Sequence, residues 1–220
     1  MPRWPPASGR VQIINFELGC LGTNAYLLLP EGRADAVLID APEEAWDAVK
    51  GTLIEHGRLL ATLLLTHGHW DHMAGAAACQ RAGARVYAHP ADRAWIEKPD
   101  LQAGFVIPDV VLEPAKVDEL LAQGQSLDVA GLHFEVRHVP GHAPGNVLFY
   151  LPAWKCAFPG DAIFSGSVGR ADLPGGDWDQ LERSIKEQIY TLPEETVLYP
   201  GHGPPTTVGT ERRTNSFVRG

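Results

Sequence analysis

Two runs of the chain, ADAVLID at 34–40 and LLATLLLT at 59–66, are almost uninterruptedly apolar. Strands written in this way bury both faces, so the fold must cover the sheet that holds them on either side. The segment between them, APEEAWDAVKGTLIEHG, spaces Trp46, Val49 and Leu53 for one helical face, carries acidic residues in its first turn and stops at Gly57. Upstream, VQIINFELG and NAYLLLP read as strands with a turn at Gly22 and Thr23. Downstream, DHMAGAAACQRAGA reads as a small-residue helix ending near Gly83, and RVYAHP as a short strand. This alternation predicts an α/β layer in which helices cover the sheet.

The later part of the chain is less regular. After a short helix candidate, PADRAWIE, the stretch KPDLQAGFVIPDVVLEPA at 98–115 holds three prolines and reads as a flap bordering a site. Beyond Gly124 the pattern is hairpin-like: QSLDVAG, then LHFEVRHV with Leu132, Phe134 and Val136 alternating, then NVLFYLP and KCAFP. A helix, DWDQLERSIKEQIYTL, and a strand, TVLYP, follow. With 45% apolar residues among 220 and no linker or repeat, one domain over 1–220 is expected. The net charge of −9 repels polyanions, so nucleic acid is not an expected partner. The N-terminus MPRWPPASGRVQ has no signal-like apolar core and no window resembles a membrane span, so the cytoplasm is the expected location. Cys20, Cys79 and Cys156 are widely spaced and are expected to be reduced packing residues.

The apolar run 59–66 ends in HGHWDH. His67 and His69, two residues apart, cannot share a helical face, so they must lie on a loop turned inward, with Asp71 and His72 opening the next helix. Three later strands end alike: HVPGH delivers His142, AFPGD delivers Asp161 and LYPGH delivers His202, each directly after Pro-Gly. Glycine there permits an unusual backbone angle or a close approach that aims the next side chain at a common point. If these strands are neighbours, five histidines and two aspartates meet on one rim. Such a nitrogen and oxygen donor set suits two transition-metal ions, Zn²⁺, Fe or Mn²⁺, and without cysteine it is not a thiolate structural zinc site. His56, His89, His133 and His138 lack this context and read as structural or surface residues.

These motifs resemble the metallo-β-lactamase superfamily and, within it, the hydroxyacylglutathione hydrolase (glyoxalase II)-like branch, from about Val11 to the C-terminus. The resemblance implies a four-layer αββα sandwich with metals at one edge of its two sheets. It implies that His67, His69 and His142 hold a first ion, that Asp71, His72 and His202 hold a second, and that Asp161 bridges them. It also implies that Asp40 orients the metal loops. FSGSVGRADLPGGDW at 164–178 and ERRTNSF at 211–217 are similar to stretches of glyoxalase II-like proteins, the first also to persulfide dioxygenases. On the substrate side this suggests Arg170 with Asp172, and Arg212 with its neighbour Arg213. The sequence departs from the secreted β-lactamases in its aspartate bridge and lack of a signal peptide. It departs from full-length glyoxalase II in lacking the C-terminal helical domain that binds glutathione.

The activity implied is hydrolysis of a small-molecule thioester of the S-lactoylglutathione type by a dinuclear centre, zinc being the first choice of metal, with Asp71 orienting the nucleophile. A thiol of pKa about 8.5 leaves as thiolate without a strong general acid, whereas an amine needs one, so lactamase or peptidase chemistry ranks lower. The rival is a mononuclear iron persulfide dioxygenase using His67, His142 and Asp161. A non-catalytic metal-binding paralogue is the further alternative. The ligand set alone does not choose between hydrolase and dioxygenase, and nothing in the sequence sets the oligomeric state.

Overall fold

The computed structural model describes residues 9–107 and 110–220. The first eight residues of the segment read for a signal, and Pro108 and Asp109 of the flap, lie outside the described residues. One sheet contains β1 (Val11–Leu18), β2 (Thr23–Pro30), β3 (Asp35–Ile39), β4 (Leu59–Leu64), β5 (Arg85–Ala88) and β6 (Glu119–Leu120), in that spatial order. Strands β1 to β3 pair antiparallel and β3 to β6 parallel. The two apolar runs are β3 and β4, at the centre of this sheet.

Their composition follows from the period of two along a strand. On β3, Ala36 and Leu38 enter a core shared with Val49 and Leu53 of α1 (Ala45–Glu55), while Val37 and Ile39 enter a second core on the other face. β2 divides the same way, Leu27 and Leu29 to the helices, Tyr26 and Leu28 to the inner face. The inner core is closed by a second sheet made from β7 (Ser126–Val129), β8 (Leu132–His138), β9 (Val147–Leu151) and β10 (Cys156–Gly160). A separate hairpin follows, β11 (Ile163–Phe164) and β12 (Ser167–Val168), and the second sheet is completed by β13 (Val197–Pro200) and β14 (Thr206–Thr207) in the order β7-β8-β9-β10-β13-β14. Phe134, Phe149 and Phe158 face inward from it, whereas Leu148, Ala157 and Leu198 face outward onto Leu181, Ile185 and Ile189. Helices, sheet, sheet and helices therefore stack as the expected four-layer αββα sandwich.

Three local expectations change. The helix read over 71–84 is two helices, α2 (Trp70–Met73) and α3 (Ala76–Arg81). They break because the loop before α1 docks there: the Gly75 N–H donates to the Ala41 carbonyl at 2.8 Å, and a Cβ on Gly75 would lie 2.4 Å from the Pro42 oxygen. PADRAWIE begins with a 3-10 turn at Pro90–Asp92 before α4 (Arg93–Glu97). The long helix near the C-terminus is α5 (Trp178–Ser184), capped by the Asp177 carboxylate, followed by a π-helical turn at Ile185–Ile189; α6 (Val208–Thr214) comes last. Cys79 and Cys156 are buried, their thiols pushed up to about 12 by burial, but Cys20 is exposed in the turn between β1 and β2 and packs in no core. Among the described residues no helix is long and apolar enough to cross a membrane.

Candidate metal centre

The seven predicted donors come from strand ends on one rim. His67 and His69 lie on the loop after β4, Asp71 and His72 on α2, His142 after β8, Asp161 after β10 and His202 after β13. The Pro-Gly junctions bring two of these ends together. The Gly201 N–H donates to the Gly160 carbonyl at 2.9 Å, and a Cβ on Gly201 would fall 2.1 Å from Asp161 Oδ1. No larger residue fits there.

Three groups of donors lie within 4.8 Å of one another: His67, His69 and His142; His67, His72 and Asp161; and Asp71, His72 and His202. Within them, His142 Nε2 is 2.8 Å from His69 Nδ1 and 3.2 Å from His67 Nε2. His202 Nε2 is 3.2 Å from Asp71 Oδ2 and 3.4 Å from Asp161 Oδ2, and His72 Nε2 is 3.2 Å from Asp161 Oδ1. Donors tetrahedrally placed around zinc at its usual bond lengths are about 3.3 Å apart, so the spacing fits bound ions. His72 Nε2 and Asp161 Oδ1 face each other fully buried without a hydrogen-bond partner, which an ion between them would satisfy. Asp161 shares a group with one histidine from each of the other two, the place a bridging ligand requires.

The surrounding hydrogen bonds fix which nitrogen faces the centre. His142 Nδ1 donates to the Arg170 carbonyl at 2.8 Å, and His72 Nδ1 to Asp40 Oδ2 at 2.8 Å, which turns both Nε2 atoms toward the centre. Asp40 also accepts from the N–H and the hydroxyl of Thr66, each at 2.7 Å, and so ties the start of the histidine loop to α2. Its backbone is left-handed, φ 59°, a strained angle for an aspartate that these three bonds hold in place.

Burial pushes the imidazoles down, and in the first group it prevails: His67 and His142 are lowered and His69 falls to about 3. For His72 and His202 burial also acts downward but is outweighed by Asp161 and Asp71, with Asp40 adding to the effect on His72; His202 rises to about 9. Burial works against ionisation of Asp71 and Asp161, yet His72 and His202 hold both carboxyls low. One side of the centre therefore offers neutral imidazoles, and on the other the carboxylates of Asp71 and Asp161 hold protons on His72 and His202, which a bound cation would displace.

Several supporting residues were not singled out from sequence. Thr23 Oγ1 donates to Asp71 Oδ2 at 3.1 Å, Asn24 Nδ2 donates to the carbonyls of Pro200 and Gly203, and Tyr26 OH donates to that of Pro200 at 2.7 Å. The available signal was polar side chains at the start of a strand that is otherwise apolar. Gln102 Nε2 donates to the Gly68 carbonyl at 2.9 Å and pins the flap to the histidine loop, and Trp95 stacks on His69 at 5.4 Å.

Above the donors lies a cavity of about 400 Å³ with apolar walls from Leu21, Phe105, Ile107, Phe164, Val168 and Leu173. Phe105 and Ile107 belong to the flap, which therefore borders the site. Arg170 lines the cavity, its guanidinium paired with both oxygens of exposed Asp172 at 2.9 Å; Asp172 itself does not line it. Arg212 does not reach the cavity. On α6 the Glu211 carboxylate turns inward, accepting from Gly166 N–H and Thr206 Oγ1, so the next residue points elsewhere, to a shallow concavity with Lys186 and Arg219.

Residues 18–202 match the family model described as the metallo-beta-lactamase superfamily. The chain belongs to the metallo-beta-lactamase superfamily. Among curated members it is 38% identical to ML0493 of Mycobacterium leprae, covering 94% of this chain and 99% of that protein. It is 34% identical to the hydroxyacylglutathione hydrolase GloC of Haemophilus influenzae (87% and 91%) and 32% to the probable metallo-hydrolase YqgX of Bacillus subtilis (92% and 95%). Among solved superfamily structures, BLEG-1 B3 metallo-beta-lactamase is 36% identical with TM-score 0.88, covering 95% of this chain and 100% of that one. TTHA1623, in a di-iron-bound form, is 40% identical with TM-score 0.76 (93% and 100%). ETHE1 from Myxococcus xanthus is 27% identical with TM-score 0.76 (93% and 83%). Superfamily membership and the His/Asp cluster together point to a metal-dependent hydrolase.

Proposed function

We propose that the protein hydrolyses a small-molecule thioester at a dinuclear metal centre. The observation that carries this reading is the composition of the cavity floor. Among the described residues lining it, every histidine and carboxylate belongs to the donor set, and none is left over as a separate acid for the leaving group. A thiolate can depart without such an acid, and an amine cannot do so readily. The likeness to GloC supports a glutathione-derived substrate, and the apolar walls suit the uncharged part of a thioester.

In this reading His67, His69 and His142 hold one ion, Asp71, His72 and His202 the other, and Asp161 both. The ions, when bound, supply Lewis acidity and a water acidified to a pKa of roughly 7. Asp71, whose Oδ2 accepts from the Thr23 hydroxyl at 3.1 Å, would orient the attacking water. Asp40 and the Arg170 carbonyl keep His72 and His142 in the tautomers that leave Nε2 free. Phe105 and Ile107 of the flap and Phe164 and Val168 of the β11–β12 hairpin line the space the acyl group would occupy. Zinc is the first choice; the di-iron form of TTHA1623 supports iron as an alternative, and manganese suits the same donors.

The likeness to ETHE1 favours a second reading, a mononuclear iron persulfide dioxygenase on His67, His142 and Asp161. Elemental analysis of the purified protein, with assays of S-lactoylglutathione hydrolysis, β-lactam hydrolysis and oxygen uptake on glutathione persulfide, separates the possibilities. About two metals per chain with thioester cleavage is the expected result. One iron per chain with oxygen consumption would replace the hydrolase reading, and turnover of a β-lactam alone, the substrate class in the name of BLEG-1, would replace the thioester.

A further inference from the structure

Asp92 is a carboxylate outside the donor set, buried in the 3-10 turn before α4. It has no cationic side chain to pair with among the described residues. Its two oxygens are instead divided between two loops from different sheets. Oδ2 accepts the Gly68 N–H at 2.8 Å, and Oδ1 accepts the Gly145 N–H at 2.7 Å. Gly68 lies between His67 and His69, and Gly145 lies three residues beyond His142. Both loops close tightly on the carboxylate: a Cβ on Gly68 would come within 2.8 Å of Asp92 Cβ, and one on Gly145 within 2.5 Å of Asp92 Cγ.

A turn brace alone does not call for this residue. A buried charge without a counter-ion destabilises a fold, and here burial pushes the Asp92 carboxyl up to about 6 although two N–H groups act to lower it. A carboxylate is, however, the smallest group that accepts two converging N–H donors on separate oxygens; an amide offers one acceptor oxygen and a nitrogen that confronts the second donor. The arrangement thus keeps an unfavourable group where the distance between two histidine loops is set.

Building on the metal-centre reading above, we propose that Asp92 is a positioning residue for the ion held by His67, His69 and His142: it fixes the separation of the two loops and thereby the affinity of that ion site. The other group, Asp71, His72 and His202, takes no hydrogen bond from Asp92.

The test is a titration of the metal-stripped full chain with Zn²⁺ against a chromophoric chelator, alongside thermal unfolding of the metal-free form. It compares wild type, Asp92→Asn, Gly145→Ala and, as a control for general destabilisation, Leu192→Ala in the outer core that covers the second sheet. One of two binding steps is expected to weaken roughly 10- to 100-fold in Asp92→Asn, the range usual for loss of a residue that orients ligands, with the other step within about threefold. Gly145→Ala, which crowds the same carboxylate, should weaken the same step and serves if Asp92→Asn does not fold. Leu192→Ala should lower the unfolding temperature and leave both steps unchanged. Unaltered binding in Asp92→Asn, or weakening of both steps in parallel with lost stability as in the control, would overturn the proposal while leaving the metal centre intact. Failure of the wild type to bind Zn²⁺ tightly would instead remove the metal centre, and the role of Asp92 with it.

Discussion

Asp161 stands between the two groups of histidines. Its Oδ2 lies 3.6 Å from His142 Nε2 and 3.4 Å from His202 Nε2, and its Oδ1 lies 3.2 Å from His72 Nε2, so truncation would take away a carboxylate shared by both groups. Asp161→Ala should lose bound metal by elemental analysis and thioester turnover together, by two orders of magnitude or more in rate, since even indirect ligand partners are worth roughly 10- to 100-fold. Full metal content with wild-type turnover would defeat the bridging assignment. At this scale the convergence of these seven side chains was legible, because the signal resides in residue type and in the Pro-Gly that precedes three of them. Asn24, Asp92 and Gln102 were not, because each acts on backbone atoms brought near only by folding; the Asn24 bond to the Pro200 carbonyl spans 176 residues. Arg212 was misread for a related reason: one position along α6 decides between the inner face and solvent, and Glu211 occupies the inner one.

Among the elements, the strands were readable and the pieces that frame the cavity were less so. Period-two burial on both faces marks β2, β3 and β9 directly, whereas the β11–β12 hairpin is too short to announce itself. It is held by the C-terminal helix: Glu211 accepts from Gly166 N–H, and Asn215 Nδ2 donates to the Ser167 carbonyl at 3.0 Å. The family-like ERRTNSF stretch is thus a brace for the wall that carries Phe164 and Val168. The opposite wall is the flap, fixed at its base by Gln102 and presenting Phe105. Phe105→Ala should raise KM for the thioester about tenfold, the effect of losing part of an apolar wall, with metal content unchanged in steady-state and elemental assays. A fall in kcat with unaltered KM would show that the flap does not contact the ground-state substrate.

For the whole molecule, ions bound at this centre would act as cross-links between the two sheets, because the loop after β4 and α2 supply four candidate donors and the second sheet's strand ends supply three. Ligand binding at about a thousandfold excess over Kd stabilises by roughly 4 kcal/mol. Removal of metal by a chelator should therefore lower Tm by roughly 10 °C for a chain of this size, and Zn²⁺ should restore it. A second link between the sheets is the stack of His89, after β5, on His138 of β8, rings 4.0 Å apart. Burial, aided by His138, lowers His89 from 6.5 to about 4. The folded state thus binds this proton less readily than the unfolded chain, so its contribution to stability is present above pH 6.5 and is lost as pH falls towards 4. In metal-free protein, Tm of His89→Phe should fall less steeply than wild type across that window; parallel curves would show that the pair does not couple to folding.

The division of candidate donors between the sheets would give bound ions a role resembling that of an adhesive. A backbone cut within the 98–115 segment would leave His67, His69, Asp71 and His72 on one fragment and His142, Asp161 and His202 on the other. Neither fragment alone carries a complete set for either ion. The two fragments would still share the inner core, where Tyr26, Leu28, Val37 and Ile39 meet Phe134, Phe149 and Phe158, together with the short β5–β6 pairing. Metal bound at the shared centre would then tighten the reassembly of the severed chain, adding a fastening to the apolar contact between its halves.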